Sequence, residues 1–157
     1  MTWVNADGLE VLMHGEQGET KDNGSTTESM RQQYVLEITG TSVPATAATP
    51  EANDAFIPAG SYITSAYLIV DTAFAGATAT VNIGLYEADG TAIDAVGIDE
   101  DIAITAIDAD GDVVVCNGSY VGGVTTVGSA DAYIEVDYDT AALTAGSGKL
   151  IVEYIPK

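Results

Sequence analysis

Between Thr78 and Glu87 the chain reads TATVNIGLYE, with Ala79, Val81, Ile83 and Leu85 on one side of an extended backbone and Thr78, Thr80, Asn82 and Tyr86 on the other. That period of two predicts a half-buried β-strand. DAYIEVDYDT repeats it, with Ala132, Ile134, Val136 and Tyr138 turned to a core and Asp131, Glu135, Asp137 and Asp139 to water. MRQQYVLEIT, in which Tyr34, Leu36 and Ile38 alternate with other residues, and the closing GKLIVEYI add two more strands. The segment IPAGSYITSAYLIVDTAFAG, Ile57 to Gly76, holds one aspartate as its only charge. Its GSYITSAYLIVD portion predicts a long core strand entered through Pro58 and Gly60.

The turns Ala88-Asp89-Gly90 and Asp110-Gly111 supply the positive φ that tight hairpins need, and Gly122-Gly123 in YVGGVTT reads as a further turn. One stretch, GIDEDIAITAI, is compatible with a helical turn capped by Asp99, and equally with a loop or a strand. Two polar stretches, GEQGETKDNGSTTES (15–29) and GTSVPATAATPEAND (40–54), read as long loops. With no heptad and no solenoid repeat, the pattern predicts an all-β protein: an antiparallel β-sandwich of jelly-roll type with long N-terminal loops. Its organisation would be an N-terminal arm and loop over 1–30 and a sandwich domain over 31–157.

Composition narrows the function. A chain of 157 residues with 46% hydrophobic and 18% charged residues can bury a core and is not composed like a disordered one. Its 24 acidic residues stand against Lys21, Arg31, Lys149 and Lys157, a net charge of -20. No basic stripe exists to neutralise phosphates, so direct nucleic-acid binding is excluded as an expectation. The acidity serves solubility, or else complements a basic partner. The start, MTWVNADGLEVLMH, lacks the basic and apolar regions of a signal peptide, and no apolar run reaches the ~18 residues of a membrane span. A soluble protein made in a cytoplasm is expected, with no membrane partner.

Chemistry is hard to find in this sequence. Cys116 is the only cysteine and His14 the only histidine, so zinc ligation and an intrachain disulfide are both excluded. Cys116 in VVVCNG reads as a buried strand thiol, far in character from a loop histidine that could activate it. Asp108, Asp110 and Asp112 of DADGDV superficially suggest a calcium loop, but the glycine comes too early and Ser119 stands where an EF-hand needs its bidentate glutamate. They are read as a tight, solvated turn. The Asn-Gly-Ser triplets at Asn23 and Asn117 are likewise read as turns. Trp3 and Tyr62, Tyr67, Tyr86, Tyr120, Tyr133, Tyr138 and Tyr154 offer a sugar-binding platform, although strand tyrosines are ordinarily half buried. No Walker loop, dinucleotide fingerprint or nucleophile elbow occurs, and neither cofactor, metal nor catalytic residue is implied.

Taken in order, TWVNADGLEV, IPAGSYITSAYLIVDTAF, the strand pair around IGLYEADGT, DADGDVVV and TAGSGKLIVEYI resemble the head-decoration proteins of tailed bacteriophages, above all those of marine and cyanobacterial phages. The resemblance implies a non-enzymatic structural protein of the virion, bound to the outer capsid surface. It implies the major capsid protein as partner, cemented subunit to subunit, and a homo-oligomer with a trimer favoured. The two polar loops are too long for idle connections. With Trp3 they are expected to order against the partner, which makes Trp3, Glu16, Glu19, Lys21, Asp22, Glu51 and Asp54 the candidate capsid contacts. The rival readings are a receptor-binding or fibre-tip β domain holding host polysaccharide, and a bacterial adhesin or surface-layer module.

Overall fold

The structure, a computed structural model, describes Thr2–Val4, Glu10–Leu12 and residues 31–51 and 54–157. The chain divides into two units, Met1–Met30 and Arg31–Lys157. In the first, β1 (Thr2–Val4) pairs antiparallel with β2 (Glu10–Leu12), so the segment expected as an arm and loop contains a short ribbon.

The second unit holds seven strands: β3 (Gln32–Thr39), β4 (Tyr62–Ala75), β5 (Thr80–Tyr86), β6 (Ala92–Ala103), β7 (Val113–Val115), β8 (Tyr133–Asp139) and β9 (Ala145–Ile155). They form two antiparallel sheets, ordered β3-β9-β4-β7 and β6-β5-β8. A single antiparallel bridge, Ile57 to Ala132, sits beside the start of β8. If that bridge is counted as a vestigial second strand after β3, the sheets run first-eighth-third-sixth and second-seventh-fourth-fifth. This is the double Greek key of an eight-strand jelly roll. The all-β sandwich expected from the periodicity is therefore the observed fold.

The core forms where the two alternating patterns face each other. Val81, Ile83 and Leu85 of β5, Ile134 and Val136 of β8, and Leu150, Val152 and Tyr154 of β9 are all buried. Each fully buried aliphatic side chain contributes about 1.5–3 kcal/mol relative to exposure. The long apolar segment becomes the 14-residue β4, four residues past the portion read as core. Its inward residues are Ile63, Ala66, Leu68, Val70 and Phe74, a spacing that slips because register shifts fall between Ile63 and Ser65 and again after Val70. Each bulge moves the phase of the strand by one residue.

Asp99 does not cap a helical turn. It lies inside β6, and the helical turn is a 3-10 turn at Ile104–Ala106 preceded by Ala103. Pairing of Thr80 with Ala103 and Val81 with Ile102 holds the segment extended. A step of two along β5, from Ile83 to Leu85, also matches a step of five along β6, from Asp99 back to Asp94, so β6 bulges. Asp101 adopts a φ of 54°, and Ile98 and Ile102, four residues apart, both reach the core. A helix would place them on one face equally well, which is why spacing did not decide between the two.

Two carboxylates depart from the pattern. Asp99 is 6% exposed and accepts N–H bonds from Glu100, at 2.9 Å, and Asn117, with a further bond from the Cys116 thiol. Burial still raises its pKa above the ordinary range, and burial together with Asp99 pushes the Cys116 thiol up to about 12. Glu135, expected in water, is half buried, and burial followed by the charge of Asp54 raises it too. A carboxyl whose folded pKa is raised takes up its proton in the folded state before the unfolded chain does, so its contribution to stability rises as pH falls through the raised value. It levels off once the ordinary values of 3.8 for Asp99 and 4.5 for Glu135 are passed. The melting temperature is therefore expected to increase from neutral pH to about pH 5. Calorimetry checks this, and the Asp99→Asn and Glu135→Gln chains should each show a shallower increase.

Candidate functional site

The sheet order and the alternation together give the two outer faces different chemistry. On the four-stranded sheet, the register places Val35 beside Ile151, Ile151 beside Tyr67, and Tyr67 beside Val115. These side chains alternate with the buried ones, so an apolar row crosses all four strands on the outside. Ile69 and Val113 extend it on the neighbouring row. Val35, Val113 and Val115 are 51%, 55% and 65% exposed. Cross-strand rows of this kind make a stiff surface, because every side chain is flanked by others at sheet spacing.

Charge divides the molecule the same way. The carboxylates beside the apolar row are offset by cations: Arg31 lies 3.2 Å from Glu153, and Lys149 lies 3.6 Å from Asp71. Strands β5, β6 and β8 contain no lysine or arginine, and Asp101, Glu135, Asp137 and Asp139 occupy them. Asn82 Nδ2 donates to Asp137 Oδ1 at 3.2 Å and Thr80 Oγ1 to Asp101 Oδ1 at 3.2 Å, so polar neighbours moderate the acidic face without neutralising it.

A cleft of about 380 Å³ opens between edge strands β3 and β8 and the segment after β3. Tyr34, Leu36, Ile38, Val43, Pro44 and Val136 wall it, and Glu37, Asp54 and Glu135 bring carboxylates to it. The segment after β3 is tied down by Tyr138 N–H donating to Pro44 O at 3.0 Å and by a turn in which Glu51 N–H donates to Asp54 Oδ2 at 2.6 Å. The loop expected over 40–54 is thus partly ordered on the sandwich itself.

The other sequence candidates fall as follows. Of the expected capsid contacts, Glu51 and Asp54 lie on that loop, exposed, with Asp54 at the cleft. Trp3 is in β1, with its side chain outside the described residues, and Glu16, Glu19, Lys21 and Asp22 lie outside them altogether, as do His14 and Asn23. In DADGDV, Asp110 Oδ1 accepts the Ala73 N–H at 2.7 Å and Asp112 Oδ2 the Ala109 N–H at 3.0 Å. Asp112 thus closes a turn in which Gly111 has φ 87°, while Asp110 ties that turn to the backbone of β4. Among the described residues no group of three or more His, Cys, Asp or Glu is placed to hold a metal. Cys116 is buried, as read.

The tyrosines do not assemble into one platform. Tyr34, Tyr86 and Tyr154 are buried, Tyr67 belongs to the apolar row, and Tyr133 packs in a tilted pair with Phe56, ring centroids 5.7 Å apart. Sequence reasoning missed the row and the cleft. Val35, Tyr67, Val115 and Ile151 become neighbours only through strand order, and the cleft joins β3 to β8 across about a hundred residues of chain.

No protein-family model matches the chain, and no curated protein matches it. Solved structures do. The chain is similar to a chain from the capsid of Ralstonia phage GP4, at 21% identity and a TM-score of 0.53 over 81% of this chain and 84% of that one. It is similar to one from the cyanophage Pam1 capsid asymmetric unit, at 18% identity and a TM-score of 0.53 over 92% of this chain and all of that one. At these identities the likeness shows a shared fold, an antiparallel β-sandwich found in phage capsid structures.

Proposed function

We propose that this chain is a non-enzymatic structural protein of a phage virion that binds the outer surface of the capsid and cements major capsid subunits. The observation that carries the reading is the apolar row across the four-stranded sheet, a stiff surface through which copies of the chain can join and so present their carboxylate-rich faces to a capsid together. Support comes from the fold shared with chains of two phage capsid structures. The acidic surface adds to it, since a chain of net charge -20 is repelled by packaged DNA and suits the outside of a head.

The occupant of the apolar row is a second copy of this chain. Two copies of so acidic a protein can approach only where carboxylates are not stacked on carboxylates, and this face, with Arg31 and Lys149, is that place. Strands of 8, 11, 14 and 3 residues at sheet spacing give a projected face of roughly 600 Å², approaching the roughly 800 Å² per partner of a stable interface. A trimer is the favoured assembly. It would leave the acidic faces and the cleft for the capsid.

A ligand that binds only the intact lattice stabilises each site by RT ln(1 + [L]/Kd), about 2.7 kcal/mol at a hundredfold excess over Kd, and the many sites of a head multiply the term. An oligomer docking several copies at once adds avidity. Purified protein is expected to co-sediment with expanded heads and to leave free major capsid protein in the supernatant. Equal binding to the free subunit, or none to heads, would overturn the reading.

A further inference from the structure

We propose that the cleft between β3 and β8 is a receptor for a single lysine side chain presented by a partner protein. Three acceptors meet there from three separate elements: the Tyr34 hydroxyl from β3, the Glu135 carboxylate from β8 and the Asp54 carboxylate from the loop. Around them Leu36, Ile38, Val43, Pro44 and Val136 provide an apolar sleeve. A lysine has that form, with a four-carbon stem that packs on apolar walls and a compact ammonium bearing three donors. A planar guanidinium fits acceptors on three different walls less well.

Among the described residues the site has no counter-charge: no Lys, Arg or His of theirs lines the cleft, although its carboxylates are close enough for Asp54 to raise the pKa of Glu135, and for both to add to the burial that lifts Tyr34 to about 12. Tyr34 is only 8% exposed, and among the described residues its hydroxyl has no hydrogen-bond partner. Buried Tyr154, by contrast, donates to Gln32 Oε1 at 2.9 Å. A buried hydroxyl left without a partner is costly, and one aimed into a cleft lined with unneutralised carboxylates is placed to receive a donor. Asp54 retains an acceptor oxygen after taking the Glu51 N–H. A divalent metal suits the site poorly, since calcium asks for six to eight oxygens and, among the described residues, no three carboxylates are placed to hold an ion together.

The identity of the lysine's owner rests on the capsid-binding reading, but the cleft can be tested without a capsid. Titration of the folded protein with n-butylammonium chloride, followed by amide NMR, should give saturable shifts confined to β3, β8 and the Val43–Asp54 loop. Affinity in the millimolar range is expected for so small a cation. Glu135→Gln and Tyr34→Phe should each weaken it about tenfold or more. Tyr34→Phe should leave the melting temperature of the free protein unchanged or raised, which a merely structural hydroxyl would not do. Equal shifts from n-butanol, preference for calcium chloride over butylammonium, or no saturation would each overturn the proposal. On particles, Glu135→Gln should lose head binding. If butylammonium binds and wild-type protein ignores heads, the lysine cleft stands and the capsid reading falls.

Discussion

Replacing Gly146 by alanine is expected to lower the melting temperature by ten degrees or so, about 3–5 kcal/mol of stability, and in part to prevent folding. Gly146 opens β9 at a φ of 108°, a conformation side chains rarely adopt. A Cβ there would collide with the Phe74 backbone at Cα and, at 2.7 Å, with the Phe74 ring. Phe74 cannot retreat, because it is buried, its N–H donates to Ile107 O at 2.9 Å, and Gly40 and Gly148 close on its ring from other sides. Gly111→Ala is the control: its φ is 87° but nothing lies within 4 Å of the new Cβ, so only the backbone cost of about 1–3 kcal/mol remains. Thermal denaturation of the two chains side by side separates backbone strain from the clash. A loss at Gly146 no larger than at Gly111 would show that the Phe74 packing is not as described.

The second large effect is on assembly. Wild-type protein is expected to sediment as an oligomer of its 16.1 kDa chain, and a Val35→Glu, Val115→Glu chain as a monomer. Both valines are more than half exposed in the single chain, so the substitutions should leave its fold and melting behaviour nearly unchanged. In the oligomer they would bury carboxylates beside Ile151 and Tyr67 with no new cation to meet them. The cost of a few kcal/mol per interface corresponds to about a hundredfold or greater loss of affinity. Sedimentation velocity across a concentration series checks this. A wild-type monomer at every concentration, or an oligomer that survives both substitutions, would show that another surface joins the copies.

The sandwich was legible in the sequence because β8 and β9 bury one face, and burial of one face writes itself as a period of two. Strand β5 begins the same way, but its far end, Ile83 to Tyr86, is buried on both faces, so Tyr86 is inside although the pattern set it on the polar side. The phase of β4 was not, since bulges change which residues point inward and leave no mark in an apolar run. Asp99 was misplaced as a cap for a related reason. Asp at the head of an apolar stretch signals a helix start only when the backbone is free to turn, and pairing with β5 removes that freedom. The apolar row and the cleft were invisible for a stronger reason. Val35, Tyr67, Val115 and Ile151 are unremarkable strand residues until topology aligns them, and Tyr34 meets Glu135 only because the sandwich brings β3 beside β8. Asp54 was singled out as a contact on loop length alone; the structure places it at the cleft.

The account depends above all on the claim that this surface strengthens a capsid. The most direct measurement is the temperature at which heads release their DNA, taken on particles with the protein, on particles lacking it, and on lacking particles to which it has been restored. The account predicts that heads assemble without it but release DNA at a lower temperature, and that added wild-type protein restores the difference while the Val35→Glu, Val115→Glu chain does not. Identical release temperatures with and without the protein would contradict it.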